Sequence, residues 1–361
     1  VKAKSQREAE KMLAEFVTEV EKGLFIAPAK LTFKEFAERW LRDYAERELA
    51  PKTVSRYKEL LESRIYPAMG HLKVKDIKPM HLLEFYRNLA EDGIRLDGKP
   101  GKLSESTIRH HHRLISSILQ KATEWEVIPA NPARRIKAPK SKRKQAVCYD
   151  EQQVKALLAA ADKEPIKRKV LIYLAVFSGL RRGEIMGLEW QDVNFEEGTI
   201  SVRQAAQYVP GKGRFLKDPK NEFSKRTISL PSFVMDMLKQ FKVHQAKERL
   251  KVGDLWEDSG RVFVRWDGRP LSPEWPSDWF SEFLEKHGLP HIPFHGLRHT
   301  AATLLINQGL PAKSISGRLG HSNIHTTMDI YGHWLKSADK EAAERLEQLY
   351  IGRLKNNGAA K

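Results

Sequence analysis

Four separated segments of the chain carry basic or phenolic side chains, three of them beside glycine breaks or at the start of a helical pattern and one in the turn before the strand pattern KRTISLP. A spacing of three residues, as between His295 and Arg298, places two side chains on one face of a helical turn, where both can reach one anion. The residues concerned are Arg181 in SGLRRGEIMGLEW, Lys220 in KDPKNEFSKR, His295 and Arg298 in HGLRH, and His321 and Tyr331 in LGHSNIHTTMDIYGH. The shared theme is binding and proton transfer at an anion.

Cleavage of a phosphodiester without a metal ion makes three demands on side chains. It needs a nucleophile, a general acid for the departing oxygen, and positive charge on the nonbridging oxygens. Arginine binds phosphate oxygens with a planar fork and keeps its charge, while histidine and lysine move protons. A tyrosine can form a covalent ester that stores the energy of the broken bond, so resealing needs no ATP. These residue types therefore predict transesterification at a phosphodiester.

A second H-x-x-R pattern, HHHR from His110 to Arg113, lies within a long helical segment. Consecutive helix positions diverge by about a hundred degrees, so the three histidines cannot converge on one metal ion. No carboxylate, thiol or nucleophile motif stands near them in the sequence. We therefore interpret His110, His111 and His112 as surface or groove-facing polar residues without a catalytic role.

The formal charge of +17 favours a polyanionic partner, with nucleic acid as the first candidate. Ribosomal, membrane-surface and other basic proteins share this charge balance, so charge alone leaves them open. A single cysteine, Cys148, excludes an internal disulfide and indicates a reducing compartment. The sequence has no apolar run of about 18 residues and no signal-peptide pattern, so we expect no bilayer-spanning segment, and we name no membrane among the partners.

Hydrophobic spacing and composition divide the 361 residues into two predicted domains with flanking segments. Apolar residues recur at helical intervals in the first domain, where Thr32 can cap the first helix. Prolines followed by lysines and arginines then indicate a linker. We predict an N-terminal helix at 1–28, a helical domain at 29–136, a basic linker at 137–147, a second domain at 148–335, and a C-terminal helix and tail at 336–361.

Short alternating segments predict strands in the second domain, namely GTISVRQ, AAQYVPGKGRFL and KRTISLP. Helical patterns precede and follow these strands, and Gly179 is expected to end the helix IKRKVLIYLAVFSG. The predicted fold class is mainly α with one small antiparallel β-sheet in the C-terminal domain.

The segments SGLRRGEIMGL, HGLRHTAATLL and LGHSNIHTTMDIYGH resemble the three signature boxes of the tyrosine recombinases, the phage integrase family. Their order and spacing agree with that family, including Gly320-His321 and the Asp-Ile-Tyr-x-His ending. The resemblance spans residues 147 to about 335, and residues 29–137 resemble the family's helical core-binding domain in pattern only. It implies a two-domain DNA clamp, with a core-type DNA-binding domain and a catalytic domain.

Matched position by position, the family's catalytic residues fall on Arg181, Lys220, His295, Arg298, His321 and the nucleophile Tyr331, with Glu184 as a supporting acid. The resemblance implies that His295 assists proton transfer from the tyrosine and that Lys220 is the general acid to the 5′ oxygen. Lys217 and Lys225 lie close enough in sequence to keep the lysine assignment open. Each residue also has a structural alternative, such as a core tyrosine or an ion pair on a helix surface.

The resemblance implies a site-specific DNA recombinase, the integrase of a phage or integrative element, that works through a 3′-phosphotyrosyl intermediate and a Holliday junction. The implied partners are double-stranded DNA at attachment sites, further copies of the chain in a homotetramer, a host DNA-bending protein and an excision directionality factor. The family typically lacks a metal or nucleotide cofactor, so none is expected. The expected location is the bacterial host cytoplasm, at the nucleoid.

The two ends of the chain carry further expectations. The resemblance implies that the N-terminal helix is a coupler from an arm-binding domain, and the start at Val1 leads us to expect that this domain is missing. The C-terminal helix has an apolar stripe that can dock on a neighbouring protomer or on its own domain.

Two other functions fit parts of the same pattern. A type IB topoisomerase would use the same chemistry to relax DNA as a monomer. A DNA-binding regulator could keep the fold without the activity, but such a protein would tolerate loss of Tyr331, and the intact set of boxes argues against it.

Overall fold

The computed structural model describes residues 30–138, 147–217 and 225–321, together with positions 6, 10, 13, 14, 323–325, 327, 328 and 347. The chain divides into two compact units, Val1–Arg143 and Lys144–Lys361. Apart from those single positions, the predicted terminal segments 1–28 and 336–361 lie outside the described residues, as does most of the predicted linker 137–147.

Helices form the regular structure in the described part of the first unit. They are α1 (Phe33–Trp40), α2 (Glu46–Glu48), α3 (Pro51–Leu60), α4 (Tyr66–Met69), α5 (Pro79–Leu89) and α6 (Glu105–Glu124). A π-helical turn at Leu41–Ala45 joins α1 to α2, and a second at Leu61–Ile65 joins α3 to α4.

The start of α1 follows from its sequence. The Thr32 hydroxyl accepts a hydrogen bond from the Glu35 backbone N–H at 3.3 Å, and the Glu35 carboxylate accepts one from the Thr32 N–H at 2.8 Å. This reciprocal capping box confirms the predicted N-terminus. Phe33, Phe36 and Trp40 expose 1% or less of their surface and form part of the unit's core, so the helical spacing predicted the buried face correctly.

The interpretation of the histidine triplet was wrong for two of its three members. His110 is exposed, but His111 and His112 are buried in the first unit's core. His111 Nδ1 lies 2.9 Å from the Thr107 carbonyl, and His112 Nδ1 lies 3.1 Å from the Tyr86 hydroxyl. Each imidazole therefore has a local hydrogen-bond partner, which lets its largely apolar ring pack inside the unit.

The second unit combines helices with short strands. Its helices are α7 (Glu151–Ala161), α8 (Ile166–Ser178), α9 (Arg182–Gly187), α10 (Ser232–Val252), α11 (Trp275–Lys286), α12 (Gly296–Asn307) and α13 (Ala312–Leu319). Its strands are β1 (Val193–Asn194), β2 (Thr199–Val202), β3 (Ala205–Val209), β4 (Gly213–Lys217) and β5 (Arg226–Ser229). The predicted fold class is confirmed, although these strands form two antiparallel sheets instead of one, with orders β1-β2-β5 and β3-β4.

Helix α8 lies in the core of the second unit, where α10 and α12 pack against it. Leu171, Ile172 and Leu174 of α8 expose no surface. The helix ends at Gly179, whose φ of +68° is the left-handed conformation that glycine adopts without strain, as the sequence predicted. In the part of the chain that the structure describes, no helix is both long and apolar enough to cross a bilayer.

Two glycines of α9 let the β3-β4 hairpin approach this helix closely. A Cβ atom at Gly183 would lie 2.9 Å from the Ala206 carbonyl oxygen, and one at Gly187 would lie 3.0 Å from the Ala206 nitrogen. Because these neighbours are strand backbone, they cannot give way by a side-chain rotation. The β3-β4 hairpin therefore packs directly against α9, the helix that follows Arg181.

We predict that Gly183→Ala destabilises the protein by about 1–3 kcal/mol, because the new methyl group pushes β3 away from α9. Gly317→Ala is the matched control: Gly317 also lies in a helix, but a Cβ there has no neighbour within 4 Å among the described residues. That change should stabilise α13 by about 0.5–1 kcal/mol. Urea unfolding measures the free energy of unfolding of both variants. Equal changes in the two variants would contradict the close packing of β3 on α9.

Candidate active site

Arg181 lies directly before α9, where the chain leaves the left-handed turn at Gly179. Its Nη1 donates to Glu184 Oε1 at 2.8 Å, and its Nη2 donates to the Gly320 carbonyl at 3.0 Å. The Arg181 backbone N–H donates to Glu184 Oε2 at 2.9 Å, so the same carboxylate caps the helix and holds the side chain. Because 40% of the side chain is exposed, the guanidinium is both held in place and accessible.

Arg298 on α12 is 3% exposed and reaches the C-terminal ends of two other helices. Its Nη1 donates to the Gly179 carbonyl at 2.8 Å, and its Nη2 donates to the Leu319 carbonyl at 2.7 Å. Carbonyls at helix C-termini are unsatisfied acceptors with partial negative charge. These two carbonyls accept hydrogen bonds from Arg298 without cancelling its positive charge.

His321 follows Gly320, which ends α13 with a φ of +67°. The His321 backbone N–H donates to the Ser316 carbonyl at 3.1 Å, and its Nδ1 lies 2.8 Å from the Thr327 hydroxyl. The carbonyls of Leu319 and Gly320, which receive Arg298 and Arg181, are the two that precede this histidine. The glycine turn therefore brings two arginines and His321 to one place.

His295 lies immediately before α12 and borders a cavity of about 540 Å³ that Arg181 also lines. Its ring meets the ring of His299 edge to face, with centroids 4.9 Å apart. Arg182, the neighbour of Arg181, also lines the cavity but is engaged by Ser277 at 2.6 Å and by a salt bridge to Glu274.

Burial and surrounding cations keep both histidines neutral near pH 7. Although His295 keeps an exposed face, desolvation by the surrounding protein, together with His299 and Arg298, lowers its pKa to about 4. Desolvation followed by the charges of Arg298 and Arg181 lowers the pKa of His321 to about 4. An anion in this site would offset the repulsion and raise both values.

Glu184 is 6% exposed and carries the negative charge nearest to these arginines among the described residues. Burial alone would raise its pKa, but the hydrogen bond and charge of Arg226, with those of Arg181, hold the pKa below its usual value. Glu184 is therefore an ionised carboxylate shared by two arginines.

The structure brings together Arg181, Glu184, His295, Arg298 and His321, which come from three separated segments. Lys220 and Tyr331, the predicted general acid and nucleophile, lie outside the described residues. Lys217, at the end of β4, and Lys225, just before β5, are the described residues that flank the Lys220 segment.

Sequence reasoning missed Arg226 and Arg318. Arg226 on β5 donates to both Glu184 oxygens, and Arg318 donates to the carbonyls of Phe177 at 2.8 Å and Ser229 at 3.0 Å. The alternation of β5 held a signal for Arg226, because it shares a strand face with the buried Ile228. An arginine on an inward strand position needs a buried acceptor.

Two regions of the chain match known families. Residues 148–338 match the Phage integrase family, and residues 32–90 match the Phage integrase, N-terminal SAM-like domain. The first match covers more than half of the 361 residues. The chain therefore belongs to the phage integrase family, whose members are tyrosine recombinases.

Similar proteins include a Tyrosine recombinase XerC-like protein of Caldanaerobacter subterraneus subsp. tengcongensis, 27% identical over 96% of this chain and 91% of that protein. The ICEBs1 integrase of Bacillus subtilis is 25% identical over 76% of this chain and 72% of that protein. These relatives agree with the enzyme class predicted from the three boxes, a tyrosine-type site-specific recombinase. They do not favour the topoisomerase or the idle regulator.

Solved structures share the fold. The Tn1549 transposon integrase in complex with transposon right end DNA has a TM-score of 0.72 at 20% identity, covering 88% of this chain and 100% of that one. A lambda integrase dimer bound to a COC′ core site has a TM-score of 0.60 at 18% identity, covering 84% of this chain and 95% of that one. The predicted two-part recombinase architecture is thus confirmed at the level of fold.

The depressed pKa values predict acid sensitivity. An unfolded histidine titrates near 6.5 and His321 in the folded chain near 4, so the unfolded state binds more protons in that interval. The free energy of unfolding therefore has its full value above pH 6.5, where the ring is neutral in both states. It decreases as the pH falls toward 4, because the unfolded state then binds a proton that the folded state does not. His321→Gln should reduce the loss of stability between about pH 7 and pH 4 by up to about 3 kcal/mol.

Urea unfolding of wild type and His321→Gln at several pH values measures this difference. His110→Gln, a change at an exposed position of the first unit, is the comparison for loss of a histidine elsewhere. An unchanged pH dependence in His321→Gln would contradict the partly buried, neutral state of this ring.

Proposed function

We propose that this chain recombines DNA at specific sites by cleaving and rejoining strands through a covalent tyrosine intermediate. One observation carries the proposal: Arg181 and Arg298, from separate segments, bind the two consecutive carbonyls of Gly320 and Leu319 that precede His321. Such convergence of cationic side chains around one point suits the transition state of phosphoryl transfer.

Arg181, Arg298 and His321 are proposed to hold the scissile phosphate. Two of the five N–H groups of the Arg181 guanidinium have described partners, and its exposed surface leaves room for phosphate oxygens. The charge of Arg298 adds positive potential from the protein interior. The low dielectric constant there makes this charge more effective. Glu184 orients Arg181 from the side away from the substrate.

Tyr331 is the proposed nucleophile and forms a 3′-phosphotyrosyl link as the 5′ oxygen leaves. His295, neutral at pH 7 because its pKa lies near 4, is proposed to assist proton transfer from the phenol. Lys220 is proposed to protonate the departing 5′ oxygen. The 5′ hydroxyl of a partner strand then attacks the phosphotyrosine, so one ester forms for each ester broken and a Holliday junction results.

Double-stranded DNA is the proposed partner, at attachment sites of a phage or integrative element. The formal charge of +17 supports it, and so do the similar integrases that were solved on DNA. Four protomers are proposed to assemble two sites, with a host DNA-bending protein and an excision directionality factor as accessory partners. The proposed location is the bacterial cytoplasm, at the nucleoid, where such DNA lies.

Replacement of Tyr331 by Phe is the direct test. We expect no covalent protein–DNA complex on a nicked suicide substrate, because the attacking oxygen is gone. DNA affinity should be nearly unchanged, because the aromatic ring remains. Denaturing gels detect the complex, and gel-shift titration measures the affinity. Cleavage by Tyr331→Phe would exclude this nucleophile. Absence of recombinant joints on a two-site substrate with the wild type would favour a topoisomerase.

The general acid has its own test, with matched lysine variants. Lys220→Ala should slow cleavage of ordinary DNA by about 10²–10⁴-fold. It should cleave a substrate with sulfur at the 5′ bridging position at nearly the wild-type rate, because a thiolate leaves without protonation. Lys217→Ala and Lys225→Ala should cleave both substrates like the wild type. Rescue by sulfur in one of these variants instead would move the assignment to that lysine.

A further inference from the structure

Arg226 is a buried cation that the proposed chemistry leaves without a role. Its side chain is 8% exposed on β5, and three of its groups make described contacts. Nη2 donates to Glu184 Oε2 at 2.8 Å, Nη1 lies 3.3 Å from Glu184 Oε1, and Nε donates to the Arg318 carbonyl at 2.8 Å. One guanidinium therefore joins β5, α9 and the C-terminal end of α13.

The turn before His321 lies directly on this guanidinium. A Cβ atom at Gly320 would lie 2.6 Å from Arg226 Nη1 and 2.9 Å from its Cζ. The φ of +67° favours glycine at 320, and a side chain there would also displace the Arg226 guanidinium. Arg226 therefore packs against the residue whose carbonyl accepts the hydrogen bond from Arg181.

Arg226 also determines how strongly Glu184 acts on Arg181. The carboxylate contacts Arg181 through Oε1 and Arg226 through both oxygens. Without Arg226, the buried charge of Glu184 would have Arg181 as its remaining described cation and would draw that guanidinium inward. A phosphate would then compete with a full carboxylate for Arg181.

We propose that Arg226 is a positioning residue for DNA cleavage: through Glu184 and the Arg318 carbonyl it holds Arg181 and His321 at one phosphate. This inference rests on the proposed function. We assign Arg226 no phosphate contact, because the Glu184 carboxylate compensates its charge. The described acceptors of Arg298, in contrast, are backbone carbonyls, which leave the charge of that arginine uncompensated. Arg226 therefore acts through Glu184 and not on the DNA itself. Its effect should therefore fall on the rate of cleavage and not on DNA affinity.

The first test compares Arg226→Lys and Arg226→Gln with Arg261→Gln. Arg261 is a matched control in the same unit, because it is 7% exposed, lies 3.6 Å from the Glu189 carboxylate and donates to the Gly187 carbonyl at 2.6 Å. Single-turnover cleavage of a nicked substrate is measured with saturating protein, at a temperature where each variant is folded by circular dichroism. DNA affinity is measured in parallel.

Both Arg226 variants should cleave about 10²-fold more slowly or worse, because small displacements of catalytic groups cost this much. Arg226→Lys should be the milder variant, since an ammonium can pair with Glu184 but cannot also span to the Arg318 carbonyl. Arg261→Gln should cleave at nearly the wild-type rate. Wild-type cleavage by Arg226→Lys, or a loss of cleavage matched by an equal loss of affinity, would overturn the proposal.

A second readout does not depend on cleavage. The pKa of His321 is lowered by burial, by Arg298, Arg181 and Arg226, and by His299. NMR titration of labelled histidines, with His321 assigned by substitution, should show a higher pKa in Arg226→Gln. The pKa should stay near the wild-type value in Arg226→Lys, which keeps the charge, and in Arg261→Gln.

An unchanged His321 pKa in Arg226→Gln would refute the contact between Arg226 and this site. If the wild type fails to cleave any DNA, the proposed function is wrong, and the titration still decides whether Arg226 acts on His321. The two failures are therefore distinguishable.

Discussion

Repulsion among cations is the physical constraint on which the candidate active site depends. Arg181, Arg226 and Arg298 crowd around one turn and repel one another, so local acceptors must hold each of them in place. One buried carboxylate, Glu184, compensates part of the charge. Backbone carbonyls at the ends of α8 and α13 accept the remaining described side-chain hydrogen bonds of these arginines. Because carbonyl dipoles satisfy donors without cancelling charge, the site keeps net positive potential for an anion.

The same arrangement explains why glycines stand at the two helix ends. Gly179 and Gly320 adopt left-handed conformations that stop α8 and α13 and turn their last carbonyls toward the arginines. Arg318 adds to this arrangement by donating to the Phe177 carbonyl near the end of α8. The glycines that end these two helices therefore also place the carbonyls that bind the arginines.

Local patterns made much of this predictable from the sequence. The capping of α1 by Thr32, the end of α8 at Gly179 and the class of fold depend on short stretches of chain, and the boxes identified five residues that the structure brings together. Non-local partners were not predictable. The burial of His111 depends on how α6 packs, and the role of Arg226 depends on Glu184, which lies 42 residues away. The spacing of residues along one helix or strand does not show which distant residues that element will contact.

The site can exist only after several distant elements of the second unit have packed. Arg298 reaches from α12 to α8 and α13, and Arg226 reaches from β5 to α9 and α13. Each arginine is stable inside the protein only when its acceptors are present, since a buried charge without partners is strongly unfavourable. Partial folding would therefore expose these arginines to solvent and separate them. Because of this coupling, the groups that we propose to bind the phosphate come together only in the complete fold.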